Sequence, residues 1–156
     1  MRFALAAGLL LALAACGQGG GPPPEATTAA TTSEPSPAQW QAKTAALPAP
    51  YNQASYESGR TVFAQCMSCH TINEGGINLV GPNLYGVVGR RVGAKAGYSY
   101  SSAMQAKNFV WDPDHLQQWL SGPSAYIPGT RMSFPGVRDP NQRRDVIAYL
   151  MVNSQP

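Results

Sequence analysis

The chain is predicted to be all-α: one small domain of helices joined by long loops. Three observations predict it. Beyond Tyr51 the aromatic and aliphatic residues recur at helical spacing. No stretch alternates apolar and polar residues as a half-buried strand would. Two Asp-Pro pairs, at 112–113 and 139–140, each open an apolar-periodic run, and Asp is a favoured N-cap while Pro is best tolerated at the first helical position.

The chain opens MRFALAAGLLLALAAC, with Arg2 followed by an uncharged apolar run from Phe3 to Ala15. That run falls short of the roughly 20 residues a membrane-spanning helix needs, so residues 1–15 read as a secretion signal peptide. Its end, Leu13-Ala14-Ala15-Cys16, resembles the lipobox of bacterial lipoproteins, which implies that Cys16 becomes an acylated N-terminus. The alternative is cleavage at the small residues just before it, leaving a soluble periplasmic protein with a free thiol. Two or three acyl chains would anchor the protein stably. Residues 16–50 are then the anchor cysteine and a Gly/Pro/Ala/Thr linker, too poor in large apolar groups before Trp40 to offset its ordering entropy. A flexible coil of this length reaches about 30–35 Å. Within it, 38–47 is either a short helix resting Trp40 and Leu47 on the domain or more linker.

The domain proper is expected at 51–156. A first helix is expected from about Ser55, its N-cap, to Cys69, with Tyr56, Gly59, Phe63 and Cys66 on one face. A second starts at Asp112-Pro113, carries Leu116, Trp119 and Leu120, and stops at Gly122-Pro123. The last starts at Asp139-Pro140 and turns Val146, Ile147, Tyr149 and Leu150 inward. Gly59 would let the first and last helices approach closely, with the Tyr149 ring as neighbour. Two Gly-rich segments, 71–97 and 121–138, remain irregular. So few helices can hold such long loops only if something other than side chains fills the centre, and a large apolar cofactor would do so.

The stretch CMSCH at 66–70 names that cofactor. C-x-x-C-H is the attachment signature of c-type haem. Cys66 and Cys69, three apart on a helical turn, present both sulfurs to one porphyrin edge, and His70 can then reach the iron. A redox C-x-x-C wants a βαβ setting that is missing, and a zinc site wants four compact ligands where only the distant His115 is left. The sixth iron ligand comes from Met67, Met104, Met132, Met151 or His115. Met67 and Met151 sit on helices, where methionine commonly fills gaps, and His115 reads as a solvated surface residue. Met132, in YIPGTRMSF, is on a loop bent by Pro128 and Gly129 and is the expected ligand, a buried loop anchor being its other reading. A His/Met pair suits electron transfer.

CMSCH at 66–70, GPNLYGVVGR at 81–90, GYSY at 97–100, Trp111, YIPGTRM at 126–132 and DVIAYL at 145–150 together resemble class I c-type cytochromes of the mitochondrial and bacterial c2 type, over about 55–152. The resemblance implies the small class I fold, one haem c covalent through Cys66 and Cys69, and iron ligation by His70 and Met132. It implies that the Pro82 carbonyl accepts the His70 ring N–H. It also implies that Arg90, Tyr100 and Trp111 donate to a buried propionate, with a further contact from Tyr98. Thr130 would bond near the second propionate. Trp119 near the Met132 sulfur and Phe134 at the haem edge are either tuning residues or core filling. The expected role is a one-electron carrier with no substrate chemistry. The alternatives are a haem enzyme, peroxidase- or reductase-like, and a gas-binding protein, both with a labile sixth ligand.

Charge departs from the lysine-rich members of that family. Over 51–156, nine Lys and Arg face six Asp and Glu, and two propionates would offset most of the surplus. No nucleic-acid footprint is present. Steering by charge should be weak, and a membrane tether would substitute by raising effective concentration. By resemblance, the expected partners of a monomeric carrier on the periplasmic side of a membrane are a quinol:cytochrome c oxidoreductase as donor and a terminal oxidase or photosynthetic reaction centre as acceptor.

Overall fold

The computed structural model describes residues 35–155, all within one compact unit. The signal segment 1–15 and Cys16 lie outside the described residues. Among the described residues six α-helices occur, with a 3-10 turn at Tyr51–Gln53: α1 Pro37–Ala45, α2 Tyr56–Phe63, α3 Ser102–Gln105, α4 Pro113–Ser121, α5 Pro123–Tyr126 and α6 Pro140–Asn153. No strand forms among the described residues; one antiparallel bridge joins Arg91 to Val110. None of the described helices is long and apolar enough to cross a membrane. The all-α expectation holds.

Helix starts follow the side chains that cap them. Asp112 accepts the His115 N–H at 2.7 Å, Asp139 accepts from Asn141 and Gln142, and Ser55 accepts from Ser58, in each case satisfying donors that have no carbonyl in the first turn. α2 is shorter than the expected Ser55–Cys69 helix. After Phe63 the chain tightens into successive turns, with Gln65 N–H on Val62 O, Cys66 N–H on Phe63 O and Cys69 N–H on Cys66 O. These i→i+3 bonds keep the apolar residues on one side without continuing the α-helix, so periodicity alone extends the helix too far.

Between 35 and 50 the helix alternative is the one observed. Ser36 and Gln39 form a capping box on α1. Trp40, 2% exposed, packs 5.1 Å from the Tyr56 ring and 5.8 Å from Tyr149, and Leu47 lies against the same core. The expected boundary at 50/51 therefore falls inside the packed body.

α2 packs chiefly on α6, which also meets α4. Gly59 permits the α2–α6 crossing: a Cβ there would sit 2.5 Å from the Asp145 carbonyl oxygen and 3.1 Å from Tyr149 Cβ. The close neighbour is thus α6 backbone, while the Tyr149 ring stacks at 4.9 Å on Phe63. Buried Asp145 accepts the Ser55 N–H at 3.2 Å and pairs with Arg144 at 2.6 Å, tying the start of α2 to α6. Between α2 and α6, the segments 71–101 and 127–138 form long loops around a central cavity.

Candidate cofactor site

The turn after α2 puts Cys66, Cys69 and His70 on one wall of a mainly apolar cavity of about 280 Å³. The two sulfurs are not joined to each other. Burial, with repulsion from Cys69 added, pushes the Cys66 thiol up to about 11. A redox C-x-x-C needs the opposite shift, toward thiolate. No cluster of three or more His, Cys, Asp or Glu among the described residues could hold a bare metal ion.

His70 Nδ1 lies 2.7 Å from the Pro82 carbonyl. A carbonyl only accepts, so the ring proton sits on Nδ1 and the Nε2 lone pair is left for a ligand bond. Burial pulls the His70 pKa down, opposed by that hydrogen bond, and the neutral ring is the ligating form. Gly81 is cradle as well as turn: a Cβ there would lie 2.6 Å from Nδ1 and closer still to Cε1. The Gly81 N–H donates to Cys69 O at 2.8 Å, so backbone holds the imidazole in place.

Met132 lines the same cavity, on the loop after α5. Its N–H donates to Thr130 Oγ1 at 3.2 Å, which gives Thr130 a part in shaping the loop. Trp119 and Phe134 also line the cavity; the first is buried and the second half-buried. Trp119 packs 5.4 Å from Trp111.

Arg90, Tyr98, Tyr100 and Trp111 reach the cavity too. Arg90 differs from the expectation, because three of its five N–H donors go to the backbone carbonyls of Gly86, Asn83 and Tyr85, at 3.2, 3.1 and 2.5 Å. It clamps the loop that carries Pro82, and its guanidinium also shares a hydrogen bond with Tyr100. Burial lowers its pKa, and Tyr100 opposes the shift; burial raises that of Tyr100. The Tyr98 hydroxyl donates to the Val80 carbonyl at 2.7 Å.

Asn83 was not foreseen. Fully buried, it donates to Thr71 Oγ1 at 2.7 Å and Asn73 O at 3.0 Å and accepts the Tyr85 N–H at 3.2 Å. It fixes the turn that presents the Pro82 carbonyl, and a lone Asn in a loop carries no periodic signal. Two other expectations fail. Met67 is 61% exposed and lies outside the core, because the end of the expected helix is replaced by turns. His115 is not simply solvated: it stacks on Phe109 at 4.2 Å and lies 2.7 Å from Asp112.

The residues present fit a covalent iron porphyrin. Two thiols three residues apart flank an apolar slot. A tautomer-locked imidazole and a thioether line the same slot, and Arg90 puts a cation in its wall, so that carboxylates entering it would not be buried without a counter-charge.

Known proteins agree. The family described as Cytochrome c matches residues 56–154. A cytochrome c of Kluyveromyces lactis is 43% identical over 106 residues, covering 67% of this chain and 96% of that protein. A cytochrome c homolog of Bradyrhizobium diazoefficiens is 46% identical over 98 residues, 62% of this chain and 53% of its own. Among solved structures, cytochrome cH from Methylobacterium extorquens superposes with a TM-score of 0.57 at 41% identity, covering 63% of this chain and 98% of that one. With most of the chain matched and every expected haem contact lining one cavity, the chain belongs to the cytochrome c family, with haem c bound covalently through Cys66 and Cys69.

Proposed function

We propose that His70 Nε2 and the Met132 sulfur would hold the iron of this haem c electron carrier, and that the protein works at the periplasmic side of a bacterial membrane, tethered by acyl chains on Cys16. The observation that carries the ligation is the 2.7 Å contact from His70 Nδ1 to the Pro82 carbonyl, which leaves Nε2 free in a cavity that Met132 also lines. Haem c supplies a reversible one-electron ferrous/ferric couple. The chain's own residues do the rest. Gly81 and Pro82 fix the imidazole, Thr130 shapes the Met132 loop, and Arg90 clamps 83–86. Val62, Leu116, Leu120, Val146 and Leu150 line the slot with apolar surface and exclude water. Groups fixed in this way change little when charge changes, which favours fast electron exchange over substrate chemistry.

The tether rests on the lipobox-like LAAC and the Gly/Pro-rich segment after it. Relatives in two bacteria support a bacterial setting. Donor and acceptor are proposed as membrane complexes, a quinol:cytochrome c oxidoreductase and a terminal oxidase or photosynthetic reaction centre. Carbon monoxide tests the ligation: the ferrous protein should leave the gas unbound at neutral pH, and ready formation of a carbonyl complex would favour an enzyme or gas-binding role. Detergent partitioning tests the tether. Cys16→Ser should move the protein from the detergent to the aqueous phase, and unchanged partitioning would contradict lipidation.

A further inference from the structure

Four of the five exposed large apolar side chains among the described residues fall between 67 and 80: Met67 at 61%, Ile77 at 68%, Leu79 at 42% and Val80 at 77%. Three of them sit on a loop that is bonded to the haem-attachment turn, which carries the fourth. The Gly81 N–H donates to Cys69 O at 2.8 Å, Thr71 Oγ1 donates to Ile77 O at 2.7 Å, and the Leu79 N–H donates to Gly81 O at 2.9 Å. The Tyr98 hydroxyl holds the Val80 carbonyl, and Asn78 Oδ1 accepts the Asn83 N–H at 2.9 Å. An apolar loop braced at so many points is a built surface.

Its place and its charge say what it meets. Val80 lines the cavity, as do Cys66 and Cys69, so the patch continues from the rim of the haem slot on the thioether side. Within the stretch 61–89 that carries the four side chains the one charged residue, His70 aside, is Glu74; Arg131, on the loop after α5, lines the same cavity as Val80. A contiguous exposed apolar patch marks an interaction site, and one so poor in charge is complementary to an equally uncharged face. A lipid occupant would point the electron exit into hydrocarbon, and a second copy would close it.

We infer that Met67, Ile77, Leu79 and Val80 form the docking surface for a redox partner that presents an apolar, weakly charged face, so that the encounter is held by apolar contact in place of ionic steering. This rests on the carrier reading above.

The test uses the reduced full-length haem protein in a Cys16→Ser background, which removes acyl binding to membranes and vesicles, with native host membranes as oxidant. The wild-type second-order rate should change less than about twofold between about 20 and 200 mM salt, since there is little charge at the contact to screen. The double variant Ile77→Lys/Leu79→Lys should react about tenfold more slowly, because two charges would be desolvated on docking. Val110→Lys, at the fifth exposed apolar residue, should stay within about twofold of wild type. The absorption spectrum and the reaction with ferricyanide at high salt should match wild type in all variants, which separates docking from haem damage. An unchanged rate in the double variant would overturn the assignment, as would a steep fall of the wild-type rate with salt. Binding of wild type, but not the double variant, to protein-free phosphatidylcholine vesicles would assign the patch to lipid. Loss of a wild-type dimer in the double variant would assign it to a second copy. A ferrous protein that binds carbon monoxide would fail the carrier reading itself; one that excludes the gas yet ignores both lysines fails only the docking.

Discussion

Replacing Gly59 by Ala tests how the helical frame is held around the haem. On an exposed helix the change would stabilise by about 1 kcal/mol, since Gly is the poorer helix former. Here the added Cβ would lie 2.5 Å from the Asp145 carbonyl oxygen, where ordinary contact begins at 3.4 Å, a shortfall of 3.4 − 2.5 = 0.9 Å. The obstacle is backbone, which cannot rotate aside, so α2 and α6 must separate. Overpacking of this kind costs about 1–3 kcal/mol, and a backbone obstacle puts the cost at the upper end, leaving a net loss of about 2 kcal/mol after the propensity gain. Separation also moves Val146 and Leu150, which line the haem slot. Guanidinium unfolding of the ferric protein measures it, with a midpoint lower by about 0.5 M at an unchanged slope. A midpoint equal to wild type or higher would refute the crossing as described.

Two further changes probe the frame. Trp40→Ala should cost about 3–5 kcal/mol in the same unfolding assay, because it removes the ring that seats α1 on Tyr56 and Tyr149. Trp40→Phe should cost under about 1.5 kcal/mol, since it keeps a ring and removes a buried indole N–H that finds no acceptor among the described residues; equal losses in the two variants would show that the N–H is bonded. Asp112→Ala should cost about 1 kcal/mol near neutrality through the lost N-cap. The His115 N–H, foremost, and its ring hold the Asp112 carboxyl below its usual pKa. The stabilisation is therefore complete above the unfolded value of about 3.9 and lost as pH falls through the lower folded value. Wild type and variant should converge in acid; a constant gap would argue against the carboxylate cap.

The parts of the fold legible in the sequence are those fixed by local chemistry. Asp112-Pro113 and Asp139-Pro140 mark helix starts because cap and ring act within one turn. CMSCH points to the cofactor because two thiols and an imidazole this close, with no βαβ setting and no further compact ligands, leave haem attachment as the chemistry that fits. The end of α2 was misplaced because apolar period does not separate an α-helix from consecutive turns. α3 and α5, four residues each, are too short for any period to register. Arg90 was assigned only to the propionate, yet its clamp on Asn83, Tyr85 and Gly86 depends on how a loop closes in space. Gly81 and Asn83 escaped for the same reason. The exposure of Met67, Ile77, Leu79 and Val80 was unreadable because it follows from how the loop closes in the fold.

The far-red absorption of the ferric haem protein tests the central claim most directly. If Met132 ligates the iron, its thioether would give a weak charge-transfer band, expected in wild type at neutral pH and absent from Met132→Ala. A wild-type spectrum without the band, or a band that survives in Met132→Ala, would contradict ligation by Met132 and with it the closed, substrate-free iron on which the carrier role depends.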